Sequence, residues 1–240
     1  LEKIIDTYEL NRCVYGSPRI TQALNKQSIS CSQPRVARLM RTNGIVAKTQ
    51  RKFKATTNSN HSLPVATDLV GQAFGVDGPN RLWVGDITYI DTDEGWLYLA
   101  KVMDTYNREI IGWTVDKRMT KDLVINAMKR AIRKRRPSQS PIFHSDRGSQ
   151  YASYAFRRLL ANNHIRQSMS GKGNCYDNAM AESFFKTLKT ELIYQNKYQT
   201  REEAKQDIFE YIEVFYNRQR LHSALGYRTP IEYGELQNVA

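Results

Sequence analysis

The chain has 240 residues, of which 40% are hydrophobic and 10% aromatic, enough for one large domain or a core with appendages and too apolar for a disordered chain. Its formal net charge of +12, from 36 Lys and Arg against 24 Asp and Glu, favours a polyanionic partner. No apolar run approaches the roughly 18 residues of a bilayer span, and no signal-peptide pattern opens the chain. Three cysteines (Cys13, Cys31, Cys175) without CxxC spacing fit a reducing, intracellular setting and support no zinc site. The chain begins at Leu1, which a fragment, a processed product or an edited coding sequence would each explain.

The first 50 residues read as short helices. In "SPRITQALNKQ", Ser17 is the expected N-cap, Pro18 the first helical residue, and Ile20, Ala23 and Leu24 the inner face. "SQPRVARLMRTNG" repeats the pattern, with Val36, Leu39 and Met40 inside and Asn43-Gly44 as the stop. Arg35, Arg38 and Arg41 line its outer face, a helix-turn-helix pattern for DNA. With Arg19 on the preceding helix, these are the expected DNA contacts; the alternative is a helical cap with a basic exterior. From Asn11 to Thr67 there is no acidic residue, and a second basic cluster, "KRAIRKRRP", starts at Lys129, so the charge is segregated as a nucleic-acid surface requires. Residues 51–78 lose periodicity and gather Thr, Ser, Asn, Gly and Pro, which predicts a linker between a domain at 1–50 and another at 79–240.

The second domain opens with three β-rich runs, "RLWVGDITYID", "GWLYLAKVMDTYN" and "REIIGWTVDKR", joined by turns short enough for hairpins. There follow a helix ("KDLVINAMKRAIRKRR"), a short buried strand ("PIFHSD"), a helix ("SYAFRRLLANN") and another strand ("IRQSMS"). A glycine-rich loop containing Lys172 leads into the helix "AMAESFFKTLKTELIY", and "TREEAKQDIFEYIEVFYNRQR" is a long final helix. This order predicts an α/β fold with a mixed sheet flanked by helices. His61, His164 and His222 read as surface or packing residues.

Three acids hold distinctive places. Asp86 lies inside an apolar strand, where a charge is costly unless paired or metal-bound. Asp146 ends the fourth strand, and Glu182 follows the glycine-rich loop at a helix start. Alone, each has a structural explanation: a strand acid bonded to amides, a turn residue, and an acid favoured by the helix dipole. Together they can converge at one sheet edge as an oxygen-only cluster suited to Mg2+ or Mn2+. Two ions there would support in-line displacement at a phosphodiester.

Fifty-nine residues separate Asp86 from Asp146 and 35 separate Asp146 from Glu182. This spacing resembles the D,D(35)E signature of retroviral-integrase-like transposases. The words "GDITYI", "GWLYLA", "HSDRGSQY", "GNCYDNAMAESFFKTLK" and "YNRQRLHSALGYRTP" resemble the OrfB-type transposases of bacterial insertion sequences, and "YGSPRITQAL" with "VARLMRTNGI" resembles their helix-turn-helix segment. The likeness runs from about Tyr15 to Tyr233 and implies an RNase H-like fold, with Asp86, Asp146 and Glu182 as catalytic and metal-binding residues. It also implies that Lys189 contacts element-end DNA; Lys186, at i+4 from Glu182, is expected to contact phosphate beside it, and Lys172 is a further expected DNA contact. The chain lacks the His/Cys zinc module of retroviral integrases, and the first-frame part that such elements usually fuse upstream is expected to be missing. Asp104 is a reserve ligand, Asp91, Asp93 and Glu94 are solvated turn acids, and Asp177 and Asn178 shape the loop, where Cys175 is a small packing residue.

The resemblance implies metal-dependent strand cleavage by water, which frees a 3′-hydroxyl that attacks a second phosphodiester, with no covalent protein–DNA intermediate. It implies double-stranded DNA partners (transposon ends and target), a homo-oligomer in the DNA complex, no membrane, and a cytoplasmic, nucleoid-associated setting in bacteria. The rivals are an RNase H-like nuclease that uses only water, and a catalytically dead helix-turn-helix regulator. A tyrosine recombinase lacks an identifiable Arg/His/Arg/Tyr constellation.

Overall fold

The computed structural model describes residues 1–48, 63–71, 73–171 and 179–236. The predicted sheet is present, with five strands: β1 (Leu82–Ile90), β2 (Leu97–Asp104), β3 (Ile110–Asp116), β4 (Ile142–Ser145) and β5 (Arg166–Met169). Their order is β3-β2-β1-β4-β5. The first three form an antiparallel meander, while β4 pairs parallel with β1 and β5 parallel with β4. Parallel neighbours need crossovers, and helices supply them. These are α4 (Lys121–Arg135) between β3 and β4, then α5 (Ser149–Ala152) and α6 (Tyr154–Asn162) between β4 and β5.

Each face of the sheet has its own core, because side chains alternate along every strand. On one face Trp83, Ala100, Val102 and Ile111 meet Leu123, Val124, Ala127 and Met128 of α4 and Phe156 and Leu160 of α6. On the other, Val84, Leu99, Met103 and Ile110 meet Phe184, Phe185 and Leu188 of α7 (Ala179–Glu191) and Ile208 of α8 (Arg201–Phe209). The expected long final helix is present, α8 continuing without a break into a π-helical stretch, Glu210–Tyr216, in which Tyr211, Ile212, Phe215 and Tyr216 are all buried. A short α9 (Pro230–Glu235), which the sequence pattern does not predict, is closed by a Thr229/Glu232 capping box.

The N-terminal helices are α1 (Glu2–Leu10), α2 (Ser17–Lys26) and α3 (Gln33–Thr42). Gly16, not Ser17, is the N-cap of α2; Asn43 caps α3, and Gly44 follows with φ of +66°. Ile20, Leu24, Val36 and Met40 are buried as expected, but they belong to the same core as α7, α8 and the π-helical stretch. The helical unit is therefore docked onto the C-terminal helices. The Tyr15 hydroxyl donates to the Gln219 carbonyl at 3.2 Å and accepts from the Leu221 amide at 2.7 Å. The expected linker falls partly outside the described residues. Its described end is tied down: Leu63 and Ala66 pack on the α4 side of the sheet, and the Leu69 amide donates to Ser168 Oγ.

Candidate active site

The parallel register Trp83↔Phe143, Val84↔His144 fixes the first two acids. Two residues further along each strand, Asp86 remains inside β1 while Asp146 lies just past the end of β4, so the two are neighbours across the sheet. Asp86 is 7% exposed and accepts from the Ile87 amide at 2.8 Å. Asp146 accepts from the Gly148 amide at 3.0 Å, so it shapes the turn as well as standing beside Asp86. Arg147 is turned toward the Ser170 carbonyl at 2.7 Å and braces that turn. Glu182 sits in the first turn of α7 and is exposed.

The three acids sense one another. Burial, then the charge of Asp146, with Glu182 adding to them, raise the Asp86 carboxyl to about 7, against the pull of Lys101 and the Ile87 amide. Burial and Asp146 also raise Glu182. Like charges near enough to raise one another's pKa favour a cation between them. Two buried polar atoms beside them have no hydrogen-bond partner among the described residues: the Tyr151 hydroxyl, whose ionisation is opposed by burial and by both aspartates, and the Lys101 ammonium. An all-oxygen donor set fits a hard divalent ion, whereas the Lys101 ammonium beside it opposes one. Among the described residues, no three His, Cys, Asp or Glu side chains are already gathered tightly enough to hold a metal.

The other expected site residues separate into groups. Arg35, Arg38 and Arg41 are exposed along one side of α3. Arg19 is not available in the same way: its Nε donates to the Leu221 carbonyl at 3.0 Å, its guanidinium lies over Tyr15, and Glu191 is 4.0 Å away. It helps dock α2 onto the C-terminal segment. Lys186 is exposed, whereas Lys189 is buried, with its ammonium 4.7 Å from the centre of the Tyr89 ring and electrostatically coupled to Asp86. Lys172, Cys175, Asp177, Asn178 and His61 lie outside the described residues.

Asp104, the reserve ligand, is held elsewhere. It pairs across the ladder with Trp83, three residues from Asp86, and accepts from the amides of Asn80 and Tyr106. Opposite Asp86 stands Lys101, which sequence reasoning missed. The available signal was a lysine inside the apolar run "WLYLAKVM". A second missed cluster joins α7 to the C-terminal segment: Arg220 makes a buried fork to Glu191 at 2.6 and 2.8 Å, and the Tyr211 hydroxyl donates to Glu191 at 2.7 Å. Of the turn acids, Glu94 does more than face water, accepting from the Arg201 amide at the start of α8.

Comparison with known proteins accords with the fold. Residues 1–53 match a family model described as an HTH-like domain, and residues 76–175 and 182–237 match two models described as integrase core domains. The chain is 47% identical to the insertion element IS600 uncharacterized 31 kDa protein of Shigella sonnei, covering 93% of this chain and 82% of that protein. It is 44% identical to transposase InsF for insertion sequence IS3A of Escherichia coli K12, covering 94% of this chain and 78% of that one. Among solved structures, the HTLV-2 integrase catalytic core domain in complex with magnesium has a TM-score of 0.50 at 18% identity, covering 66% of this chain and 98% of that one. A chain of the simian T-cell lymphotropic virus intasome in complex with a PP2A regulatory subunit has a TM-score of 0.54 at 17% identity, covering 96% of this chain and 74% of that one. These two speak to the fold alone, which is that of integrase cores. Among the described residues no helix is long and apolar enough to cross a membrane. From its relatives at 44–47% identity over more than nine-tenths of its length, the chain belongs to the integrase-core transposases of bacterial insertion sequences, enzymes of DNA cleavage and strand transfer.

Proposed function

We propose that Asp86, Asp146 and Glu182 are the catalytic acids, and that they hold two divalent ions, Mg2+ or Mn2+. The observation that supports this reading best is the parallel register that sets Asp86 beside Asp146, with Glu182 of α7 near enough to act on Asp86. When bound, the ions would supply charge to the attacking and leaving oxygens at phosphorus. The protein's own part is to aim and to shield. β1 and the end of β4 fix two carboxylates on a rigid sheet. Helix α7 brings the third from the layer packed on the sheet, so a phosphodiester laid over the end of β4 beside β1 would meet all three.

In this reading residues 1–50 recognise DNA through Arg35, Arg38 and Arg41, residues 51–78 connect, and residues 79–240 cut and join. Lys186 meets phosphate near Glu182 and Lys172 is a further DNA contact. Lys189 reaches DNA only after its ammonium leaves the Tyr89 ring. Arg19 serves in docking the helical unit rather than in binding DNA. The substrates are the ends of the element and a target duplex in the bacterial cytoplasm, on the nucleoid, and two copies or more act together because two ends must be joined.

The test is to incubate the protein with duplexes carrying candidate element ends and Mg2+ or Mn2+, then to resolve the products. Joined strands are expected. Nicks without joining would favour a nuclease, and DNA binding without chemistry would favour a regulator.

A further inference from the structure

Lys101 is placed where a lysine is costly. It lies in the middle of β2, is 1% exposed, and pairs directly with Asp86 across the antiparallel ladder. Cross-strand partners project from the same face, so its side chain enters the layer between the sheet and α7. Its ammonium is 5.7 Å from the centre of the Phe185 ring and 6.0 Å from that of Phe184, two residues that follow Glu182 closely on α7. Its nitrogen has no hydrogen-bond partner among the described residues, and no ion pair joins it to Asp86. Burial draws the Lys101 ammonium down to about 7 against the pull of Asp86, and Lys101 in turn lowers Asp86. A buried ammonium is expensive unless an opposite charge is near. The charged groups around this point are Asp86, Asp146 and Glu182 on one side, with Lys189 of α7 as the other cation near Asp86.

We propose that Lys101 is a positioning residue, the resident counter-charge of the acid cluster, which keeps Asp86 in place before metal arrives and sets how tightly metal binds. A positive charge across the ladder from Asp86 offsets part of the repulsion among the carboxylates in the metal-free protein. The same charge opposes an incoming divalent ion, so Lys101 exchanges metal affinity for an ordered, unloaded site. The inference rests on the reading of Asp86 as a metal-binding acid, but it is tested separately from catalysis.

The experiment is a double-mutant cycle in chelator on the full chain: wild type, Asp86→Asn, Lys101→Met and the double variant, each followed by thermal unfolding. Asp86→Asn leaves the ammonium without its counter-charge and is expected to lower the midpoint by at least about 3 °C more in the presence of Lys101 than in its absence. A companion titration with Mn2+, read by the electron paramagnetic resonance of the free ion, compares wild type with Lys101→Met. The variant is expected to bind at least about tenfold more tightly, because a cation has been removed from beside the ligands. If Lys101→Met does not fold, Lys101→Gln takes its place in both measurements. Additive midpoints, or an unchanged or weaker Mn2+ affinity, overturn the proposal. If instead Asp86→Asn still joins strands, it is the catalytic reading that fails, whatever the cycle reports.

Discussion

His222 offers a quantitative test of how the C-terminal segment is built. Its ring is 7% exposed, stacks edge-on against Tyr216 at 4.8 Å, and receives the Arg220 guanidinium at Nε2 over 3.4 Å. An arginine can only donate, so Nε2 must be unprotonated and the imidazole neutral. Burial, then Arg220, Arg19 and Arg108, depress its pKa to about 2. The unfolded chain takes up the proton as pH falls through about 6.5, whereas the folded chain does not until about pH 2. The stability linked to His222 is thus present above about 6.5 and lost progressively as pH falls. From pH 7 to pH 5 the loss is about 2 kcal/mol, and it continues at roughly 1.4 kcal/mol per unit below that. Urea unfolding of wild type and His222→Gln, with chelator, at pH 7, 6 and 5 isolates this contribution, since other groups titrate in both. The gap between the two proteins should shift by about 2 kcal/mol in favour of the variant between pH 7 and pH 5. Parallel pH profiles would refute the buried neutral histidine.

Other outcomes follow from neighbouring interactions. Arg220→Met strands the Glu191 carboxylate, 7% exposed, and should cost about 3–5 kcal/mol in denaturant unfolding, with partial recovery in Arg220→Met/Glu191→Leu. Gly112→Ala should lose about 3 kcal/mol or fail to accumulate, because a Cβ there would lie 2.3 Å from the Ala127 carbonyl oxygen and 2.6 Å from the Ala131 amide, both backbone atoms of α4. Single alanine substitutions of Arg35, Arg38 and Arg41 should each weaken DNA binding and reduce the salt slope by about 1 for each phosphate left unneutralised, read by fluorescence anisotropy across a salt series. Arg19→Ala should instead lower the melting temperature, since its donor bond goes to the Leu221 carbonyl.

Much of the catalytic layer was legible in the sequence because strand periodicity and acid placement are local signals. Asp86 inside "LWVGDITYI" and Asp146 at the end of "PIFHSD" stood out as acids in strand positions. The parallel register that makes them neighbours is a long-range fact and came only from the fold. Lys101 and Asp104 show the limit: both interrupt apolar sequence, and only the antiparallel register decides which of them faces Asp86. The basic residues of the N-terminal helices looked alike, yet Arg19 turns inward while Arg35, Arg38 and Arg41 stay exposed, because α2 is the helix that docks on the Leu221 segment. The motif "YNRQRLHS" was recognisable by resemblance, but its work was hidden. Asn217 completes the edge of β3 by exchanging hydrogen bonds with Ile110, and Arg220 locks Glu191 at the end of α7. Such tasks depend on partners about 30 and 107 residues distant in sequence, beyond any local pattern.

The central claim is that Asp86, Asp146 and Glu182 act as one catalytic unit. Its most direct test is the yield of joined strands from Asp86→Asn, Asp146→Asn and Glu182→Gln beside wild type, on the same element-end duplex with Mn2+, with folding verified by circular dichroism. Each substitution is expected to lower joining by about a thousandfold or more while leaving the duplex bound, as removal of one member of an interdependent unit does. Joining near the wild-type level by any one of the three folded variants would contradict the account.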